Sequence, residues 1–586
     1  MKTEAPPPWK FLDEFRGSAF AGEWPTLPEL FSLTAKRLPE RACFTVYEPD
    51  RVSLSYAEAL AVVERVAGVI RSLGIGRGDR VAVTGKNSPE WAVAYLAALF
   101  AGAVVVPIDY QLSAAEIGNL VRAGGASLLF SDEEKASELR ASCPGLKGYF
   151  SLASGRENYI YSLQAAAAPA PASVSASAEL PGEAELAAIL FTSGTMGKPK
   201  GVMLTHRNLV SDCYLSQANL RVYPTDVFYA LLPIHHSYTM LAVFIEAISV
   251  GAEVVFGKRM VIKQVLKDLK EAKITMFLGV PLLFNKVLSG ILKAVREKGL
   301  LVYALVRTLM ALSGFIKKVS GVNPGKSMFH SLLDKASLAS IRICISGGGP
   351  LAPSVFRLYN QLGIDFVQGY GLTETSPIIT LNPTDAYIET SVGRIVPRVE
   401  MKILDPDENG VGEIAVKGPM VMAGYYQMPE ETAEVFTEDG WFKTGDLGYL
   451  DERDYVYLTG RAKNLIVTEG GKNVFPEEIE NRFQLYDEVE QVLVRGYLED
   501  AKMKSEGIEA LLYPSAERFL LKAAGAAGTS APAAVDWSAA EARLRHIVDE
   551  VNQKLLPYQK IAKVTVLRQR MEETTTKKVK RHALGV

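Results

Sequence analysis

Over most of the first 380 residues, short apolar runs alternate with segments whose apolar side chains recur at helical spacing, which leaves few architectures open. Residues 55–73 (SYAEALAVVERVAGVIRSL) read as a helix, RVAVTG at 80–85 as a short buried strand, WAVAYLAALFAG at 91–102 as a helix and AVVVPID at 103–109 as a strand. Such alternation builds parallel sheets with covering helices, so the spacing predicts an α/β protein. A second block of the same kind runs from about 188 to 380. From about 391 to 459 the pattern changes. VEMKIL, GEIAVKG and YVYLTG are separated by Gly, Pro and Asp turns, which predicts a small β-barrel or meander. From about 465 a compact α+β unit follows, with QVLVRGY and EALLYP as strands, a polar Ala/Gly stretch at 523–535, a helix at 538–555 and a final strand in AKVTVLR. The Ala/Pro/Ser-rich segment 164–178 is expected to be a flexible surface connection.

At roughly 100–200 residues per domain, 586 residues imply three or four folding units. The 48% hydrophobic and 22% charged content is ordinary globular usage, and a net charge of −2 gives no global field for nucleic acid. The four cysteines, Cys43, Cys143, Cys213 and Cys344, are far apart and form no CxxC, which argues against a disulfide framework or a zinc site and fits a reducing cytosol. The opening MKTEAPPPWK has three prolines and no apolar run, so it is not expected to be a signal peptide. No uncharged apolar stretch of about 20 residues occurs, which predicts that the chain does not span a membrane.

The segment AILFTSGTMGKPKGVMLT (188–205) runs an apolar strand into Thr192, Ser193, Gly194, Thr195, Gly197, Lys198 and Lys200. Glycines admit backbone N–H groups, hydroxyls donate and lysines neutralise, which is the chemistry of a polyphosphate cradle. It is not a Walker A loop: only two residues separate Gly194 from Gly197, and Pro199 follows Lys198. GVNPGKS (321–327) is a decoy with three residues between its glycines and no strand before it; it reads as a turn with a basic residue. Composition alone allows 192–201 to be an ordinary Gly/Ser surface loop. The full string, however, resembles the signature of the AMP-forming adenylating family, which includes acyl-CoA synthetases, firefly luciferase and peptide-synthetase adenylation domains.

The remaining motifs of that family follow in order and extend the resemblance over nearly the whole chain. LLPIHHSYTM (231–240) looks like its Pro-x-x-His element, which implies His236 beside the carboxylate pocket; alone it reads rather as a His pair in a turn. CISGGGPLAP (344–353) resembles the adenine turn, with Gly347, Gly348 and Gly349 letting a flat ring approach the backbone. Gln368, Gly369, Tyr370 and Gly371 lead into LTETSP: Tyr370 resembles the residue that stacks on the base, Thr373 can donate to the α-phosphate, and the Glu374 carboxylate suits the Mg²⁺ that accompanies ATP. In GWFKTGDLG (440–448), Asp446 matches the carboxylate that accepts from both ribose hydroxyls. In YLTGRAKNLIVTEGGKNVFPEEIE (457–480), Arg461 matches the ribose-contacting arginine, Lys463 the hinge, and Gly470, Gly471 and Lys472 the loop that approaches the CoA thiol. Pro476 opens a helix whose Glu477, Glu478 and Glu480 suit a helix N-terminus. EETTTKKVKR (572–581) resembles the loop of the catalytic lysine and aligns Lys578 with it; Lys577 stands where the family has glycine and so becomes a rival. Read without the family, KKVKR is a solvated basic tail.

The resemblance implies a large N-terminal adenylating domain (1–460) of two doubly wound mixed sheets plus a small β-barrel (about 391–459). A hinge at 461–464 and a mobile α+β C-terminal domain (465–586) follow. It implies ATP-dependent activation of an acid to acyl-AMP with release of pyrophosphate, then transfer to CoA, with Lys578, Glu374, Thr373 and His236 as the catalytic set. Mg²⁺ is the expected cofactor, with ATP and CoA as co-substrates. The PIHH element followed by an aromatic, and the string 461–480, resemble long-chain fatty acid–CoA ligases. The stretch 285–342 adds Lys286, Lys293, Arg296, Lys298, Arg307, Lys317, Lys318, Lys326 and Lys335 around the apolar run LLVYALVRTLMALSGFI (300–316). That run reads either as a buried core helix with a solvated basic face or as a membrane-surface helix, too short to span. A cytoplasmic location follows, with peripheral contact at the inner membrane face left open, as is a homodimer. The competing readings are an acyl carrier protein ligase or another adenylate-forming ligase, a kinase-like phosphotransferase, and a non-catalytic nucleotide-binding protein.

Overall fold

The computed structural model describes residues 6–164, 181–192, 199–258, 260–468, 472–484, 486–500, 505–520, 535–574 and 579–581. The expected connection at 164–178 and the Ala/Gly stretch at 523–535 therefore lie almost wholly outside the described residues.

Two mixed sheets carry the first 400 residues together with one short later strand, Gly424–Tyr425. One has seven strands, in the spatial order Gly424–Tyr425, Lys200–Thr205, Leu186–Thr192, Val104–Ile108, Arg80–Thr84, Ala126–Ser131 and Gly148–Ser151. The other has nine, in the order Arg394–Ile395, Ile378–Leu381, Asp365–Gly371, Ile343–Ser346, Met276–Gly279, Val227–Ala230, Glu253–Phe256, Ala42–Val46 and Val52–Ser55. The central strands pair in parallel, as the sequence alternation predicts for a doubly wound fold; antiparallel strands close both edges of the nine-stranded sheet and one edge of the seven-stranded sheet, whose other edge, Gly148–Ser151, is parallel.

Helix Pro89–Phe100 shows why the two sheets form one body. Ser88 caps it by accepting from Trp91 N–H, Pro89 occupies its first turn, and all its residues from Pro89 to Leu99 except Glu90 are buried. A helix that is apolar all round needs apolar neighbours all round. Trp91 stacks on Tyr95 at 5.3 Å, and both pack edge-on against Phe244, within one apolar core that runs through strands of both sheets.

Residues 400–461 form a four-stranded antiparallel sheet, Glu400–Leu404, Gly412–Lys417, Phe442–Leu450 and Val456–Arg461, in one linear order. Beyond it, Val489–Asp500, Ser505–Pro514 and Lys563–Val566 make a three-stranded sheet covered by helix Trp537–Asn552. This last unit has a core of its own, from Ile466 to Ile561.

The run 300–316 departs from expectation. It belongs to a 21-residue helix, Leu300–Ser320, which is long and apolar enough to cross a membrane by length and composition alone. It is also not a core helix: 11% of its apolar window is buried. The sequence-based limit failed because the helix continues past residue 316 through Lys317, whose charge is taken up inside the protein by Asp365 at 2.7 Å. The decoy at 321–327 is structural. Gly321 ends that helix with φ of 72°, and Lys326 donates to the Ile341 carbonyl at 2.8 Å.

Candidate active site

Strands Val227–Ala230, Met276–Gly279, Ile343–Ser346 and Asp365–Gly371 lie side by side and parallel, so the loops that follow them share one edge of the sheet, where open α/β sheets bind ligands. The expected motifs follow three of these strands. Gly347 sits where a Cβ would lie 2.9 Å from the Tyr238 ring, so the glycine lets that ring close on the turn; Gly348 adopts φ of 76°, and Gly349 follows against Pro281. Gln368 is buried in the next strand, its carbonyl accepting from Asn382 N–H at 2.9 Å. Gly369 and Tyr370 continue that strand, and a Cβ at Gly371 would fall 1.5 Å from the Pro377 carbonyl, so only glycine fits.

The turn Thr373–Thr375 is clamped from below. Thr375 Oγ1 accepts from Leu372 N–H at 3.0 Å, and Ser376 Oγ donates to the Met420 carbonyl at 2.7 Å. With the backbone held, Thr373 Oγ1 meets Ser237 Oγ at 3.1 Å, and Glu374 accepts from the Tyr425 hydroxyl at 3.0 Å. Tyr425 comes from the two-residue edge strand of the other sheet, and Lys200 Nζ lies over its ring at 4.6 Å. Lys200 is in register with Thr192, so the phosphate-loop hairpin opens beside Glu374. Ser193, Gly194, Thr195, Gly197 and Lys198 lie outside the described residues.

His236 stands on a braced loop. Asn87 Nδ2 donates to the carbonyls of Ala230 and Leu232, both at 2.8 Å, and its Oδ1 accepts from Ile234 N–H at 3.0 Å. His236 Nδ1 accepts from Tyr238 N–H at 3.3 Å, and the Tyr238 hydroxyl donates to the Ile345 carbonyl at 3.0 Å, tying this loop to the glycine turn. The neighbouring His235 lies 3.8 Å from Asp109, and burial lowers its pKa.

Across the site, Asp446 is buried on the four-stranded sheet, where it accepts from the Tyr370 hydroxyl at 2.8 Å and pairs with Arg461 Nε at 2.9 Å. The strands carrying Asp446 and Arg461 pair antiparallel with these two residues opposite each other. Burial, and then the Asp446 charge, hold the Tyr370 phenol well above its ordinary range; the charge of Asp446 raises Arg461.

Lys463 lies in the short turn Ala462–Asn464, which leaves the four-stranded sheet directly after Arg461. Lys472 accepts through its carbonyl from Thr468 N–H at 3.1 Å across a narrow hairpin, whereas Gly470 and Gly471 lie outside the described residues. Lys577 and Lys578 also lie outside them. Nearby, Arg581 pairs with Glu480 at 2.6 Å and Glu477 at 3.6 Å, so acidic residues at both ends of helix Pro476–Glu480 serve as ion-pair partners. Among the described residues no group of three or more His, Cys, Asp or Glu could hold a metal by itself.

Sequence reading missed Tyr425, Tyr238, Ser237 and Asn87. Tyr238 and Ser237 were within a quoted motif without a role; Asn87 and Tyr425 act across the fold and carry no local signal.

Residues 31–426, over half the chain, match the AMP-binding enzyme family. The chain belongs to that family. The long-chain-fatty-acid–CoA ligase FadD15 of Mycobacterium bovis is 31% identical to this AMP-binding enzyme over 467 residues, which are 76% of this chain and 75% of that protein. A feruloyl-CoA synthase of Amycolatopsis sp. is 30% identical over 454 residues, 76% of this chain and 80% of that one. The solved structure of ATP-bound MatB from Rhodopseudomonas palustris superposes with a TM-score of 0.71 at 27% identity, covering 96% of this chain and 98% of its own. The enzyme is thus an adenylate-forming ligase of the acyl-CoA ligase kind.

Proposed function

We propose that this AMP-binding enzyme converts a long-chain fatty acid to its acyl-adenylate with ATP, releasing pyrophosphate, and then passes the acyl group to CoA in the cytosol. The observation that carries the reading is the juxtaposition of Glu374, Tyr425 and Lys200 with Thr373, three residues beyond Tyr370, whose hydroxyl meets Asp446 paired with Arg461.

A carboxylate is a poor acyl donor because its leaving group would be oxide. Its oxygen attacks the α-phosphorus, the bond to pyrophosphate breaks, and a mixed anhydride forms. Two anions must meet, and charge grows on the leaving group, so fixed cations and donors lower the barrier most. In this scheme Thr373 donates to the α-phosphate, Lys198, Lys200 and the 192–197 loop hold the outer phosphates, and Lys578 neutralises the forming charge. His236 lines the carboxylate side. Asp446 and Arg461 take the ribose, while Gly347–Gly349 and Tyr370 hold the base. Mg²⁺ usually binds through one or two carboxylates plus substrate phosphates rather than in an all-protein cage. Glu374 fits that role, its carboxylate oriented by the Tyr425 hydroxyl. Bound there, the ion would withdraw charge from the phosphate oxygens. In the second step the CoA thiol attacks the acyl carbonyl, AMP departs, and the loop containing Gly470, Gly471 and Lys472 replaces Lys578.

The long-chain reading rests on the motif strings and on the relative named a long-chain ligase, balanced by a feruloyl-CoA synthase at nearly equal identity. The second reading is an acyl carrier protein, or another acceptor, in place of CoA. Acetate, octanoate, palmitate, arachidate and ferulate should be assayed with ATP, with and without CoA, scoring AMP and thioester. Palmitate is expected to give the fastest CoA-dependent AMP release. Ferulate well above palmitate would overturn the substrate, and AMP release unaffected by CoA would overturn the acceptor.

A further inference from the structure

Helix Leu300–Ser320 is built inside out. Its inward stripe holds Met310, Ser313 and Lys317, packed against helices Pro281–Arg296 and Pro353–Gln361. Lys317 is 9% exposed; it pairs with Asp365 at 2.7 Å, donates to Asn360 Oδ1 at 2.7 Å and lies 5.2 Å from the centre of the Tyr387 ring. The outward stripe, at spacings of three, four and seven, holds Leu301 (89% exposed), Leu305 (60%), Leu312 (49%), Phe315 (65%) and Val319 (70%). A surface helix of a soluble domain normally has the opposite arrangement. Lys317 fixes this register, because turning the apolar stripe inward would leave the half-buried Asp365 without its lysine and carry the lysine out.

The surroundings of this stripe say what would cover it. Residues 286–335 contain nine lysines and arginines and two acidic residues, in a chain whose net charge is −2. Lys293, Arg296 and Lys298 are exposed at the start of the helix and Lys318 near its end. A second copy docking through the same face would bring like charges together. An apolar stripe with a basic rim instead matches an anionic lipid surface, where side chains enter the acyl boundary and Lys and Arg meet headgroups.

We propose that the Leu301–Leu305–Leu312–Phe315–Val319 face docks this enzyme on anionic bilayers, with the helix lying in the interface. It does not span, because its other face is fixed to the protein by Lys317 and Met310. The inference is independent of which acid the active site takes.

The test is flotation of the full chain with vesicles of phosphatidylcholine alone or of phosphatidylcholine mixed with phosphatidylserine. The chain should float with the mixed vesicles, stay behind with phosphatidylcholine alone, and be released by high salt, as screening predicts. The double variant Leu305→Glu, Phe315→Glu should lose roughly tenfold or more of the bound fraction, since binding scales with buried apolar area. Its AMP release on a micelle-free soluble acid should be unchanged, which shows that it folds. Equal flotation of variant and parent overturns the proposal. So does no flotation of the parent, or binding that resists salt and yields only to detergent, which would mean insertion. A parent that sediments as a dimer which the double variant dissolves would assign the face to a second copy, also overturning it.

Discussion

Glu246 lies in the core behind the active-site loops, and burial governs its charge. Its Oε2 accepts from Ser216 Oγ at 3.3 Å while Oε1 has no hydrogen-bond partner among the described residues, and desolvation pushes its pKa up to about 8. Burial, and in addition the Glu246 charge, raises the buried Asp212, whose Oδ2 accepts from Ile378 N–H just beyond the Thr373–Thr375 turn. Between the ordinary glutamate value of 4.5 and about 8, the folded chain holds a proton that the unfolded chain has released. Stability therefore falls as pH rises through that window, by up to about 1.4 kcal/mol per unit. Glu246→Gln removes this titration. The thermal midpoint of the variant relative to the parent should climb between about pH 5 and pH 9, and a difference that does not change with pH would sink the assignment. A second prediction at this scale concerns the lysine of the 572–581 motif. Lys578→Ala should lower adenylate formation by roughly 10²–10³ while thioester formation from supplied acyl-AMP survives. If Lys577→Ala gives that pattern instead, the register is off by one. The motif residues were legible because one side chain supplies one piece of chemistry: a carboxylate for a metal or ribose, a lysine for a phosphate. Tyr425, 51 residues beyond Glu374, was not, because its contribution exists only once two sheets meet.

At the scale of elements, periodicity located helices and strands well. Leu186–Thr192, Arg80–Thr84 and Val104–Ile108 fall where apolar runs predicted them. What periodicity could not give is which stripe of a helix faces the protein. Leu300–Ser320 reads as apolar nearly throughout, and its orientation is decided by Asp365 and Asn360, far along the chain. The turn Ala462–Asn464 is a three-residue element with a functional expectation. It joins Arg461, on the nucleotide side, to Asn464, which donates to Glu477 at 2.6 Å in the following unit. If the unit beyond it rotates between the two steps, the rotation must be absorbed within these residues. Lys463→Pro would fix φ and remove an N–H at the pivot. Adenylate formation should persist and thioester formation should collapse, measured as separate half-reactions; equal loss of both would move the pivot elsewhere.

At the scale of the whole molecule, the question is what holds the last unit, with its own core, against the main body. The side chain of Gln484 does much of it. Its Nε2 donates to the Pro350 carbonyl at 2.8 Å, and its Oε1 accepts from Ala352 N–H at 2.8 Å and from Asn285 Nδ2 at 3.5 Å. Pro350 and Ala352 directly follow Gly347–Gly349, so the contact lands on the turn assigned to adenine. In the same arrangement Glu116 of the main body is held below its ordinary range, by its hydrogen bonds with Ser113 first and in small part by the charge of Lys580. We infer that this is the arrangement of the adenylating step, since Lys580 lies two residues from Lys578. The two shorter of these hydrogen bonds, at about 0.5–1.5 kcal/mol each, would bias the molecule toward it by roughly 5- to 150-fold, less whatever water restores. Gln484→Ala should therefore slow adenylate formation several-fold and leave thioester formation from supplied acyl-AMP equal or faster, with an unchanged thermal midpoint. If thioester formation slows instead while adenylate formation holds, the arrangement belongs to the second step. If both slow and the midpoint drops, Gln484 contributes to stability rather than to the choice between steps.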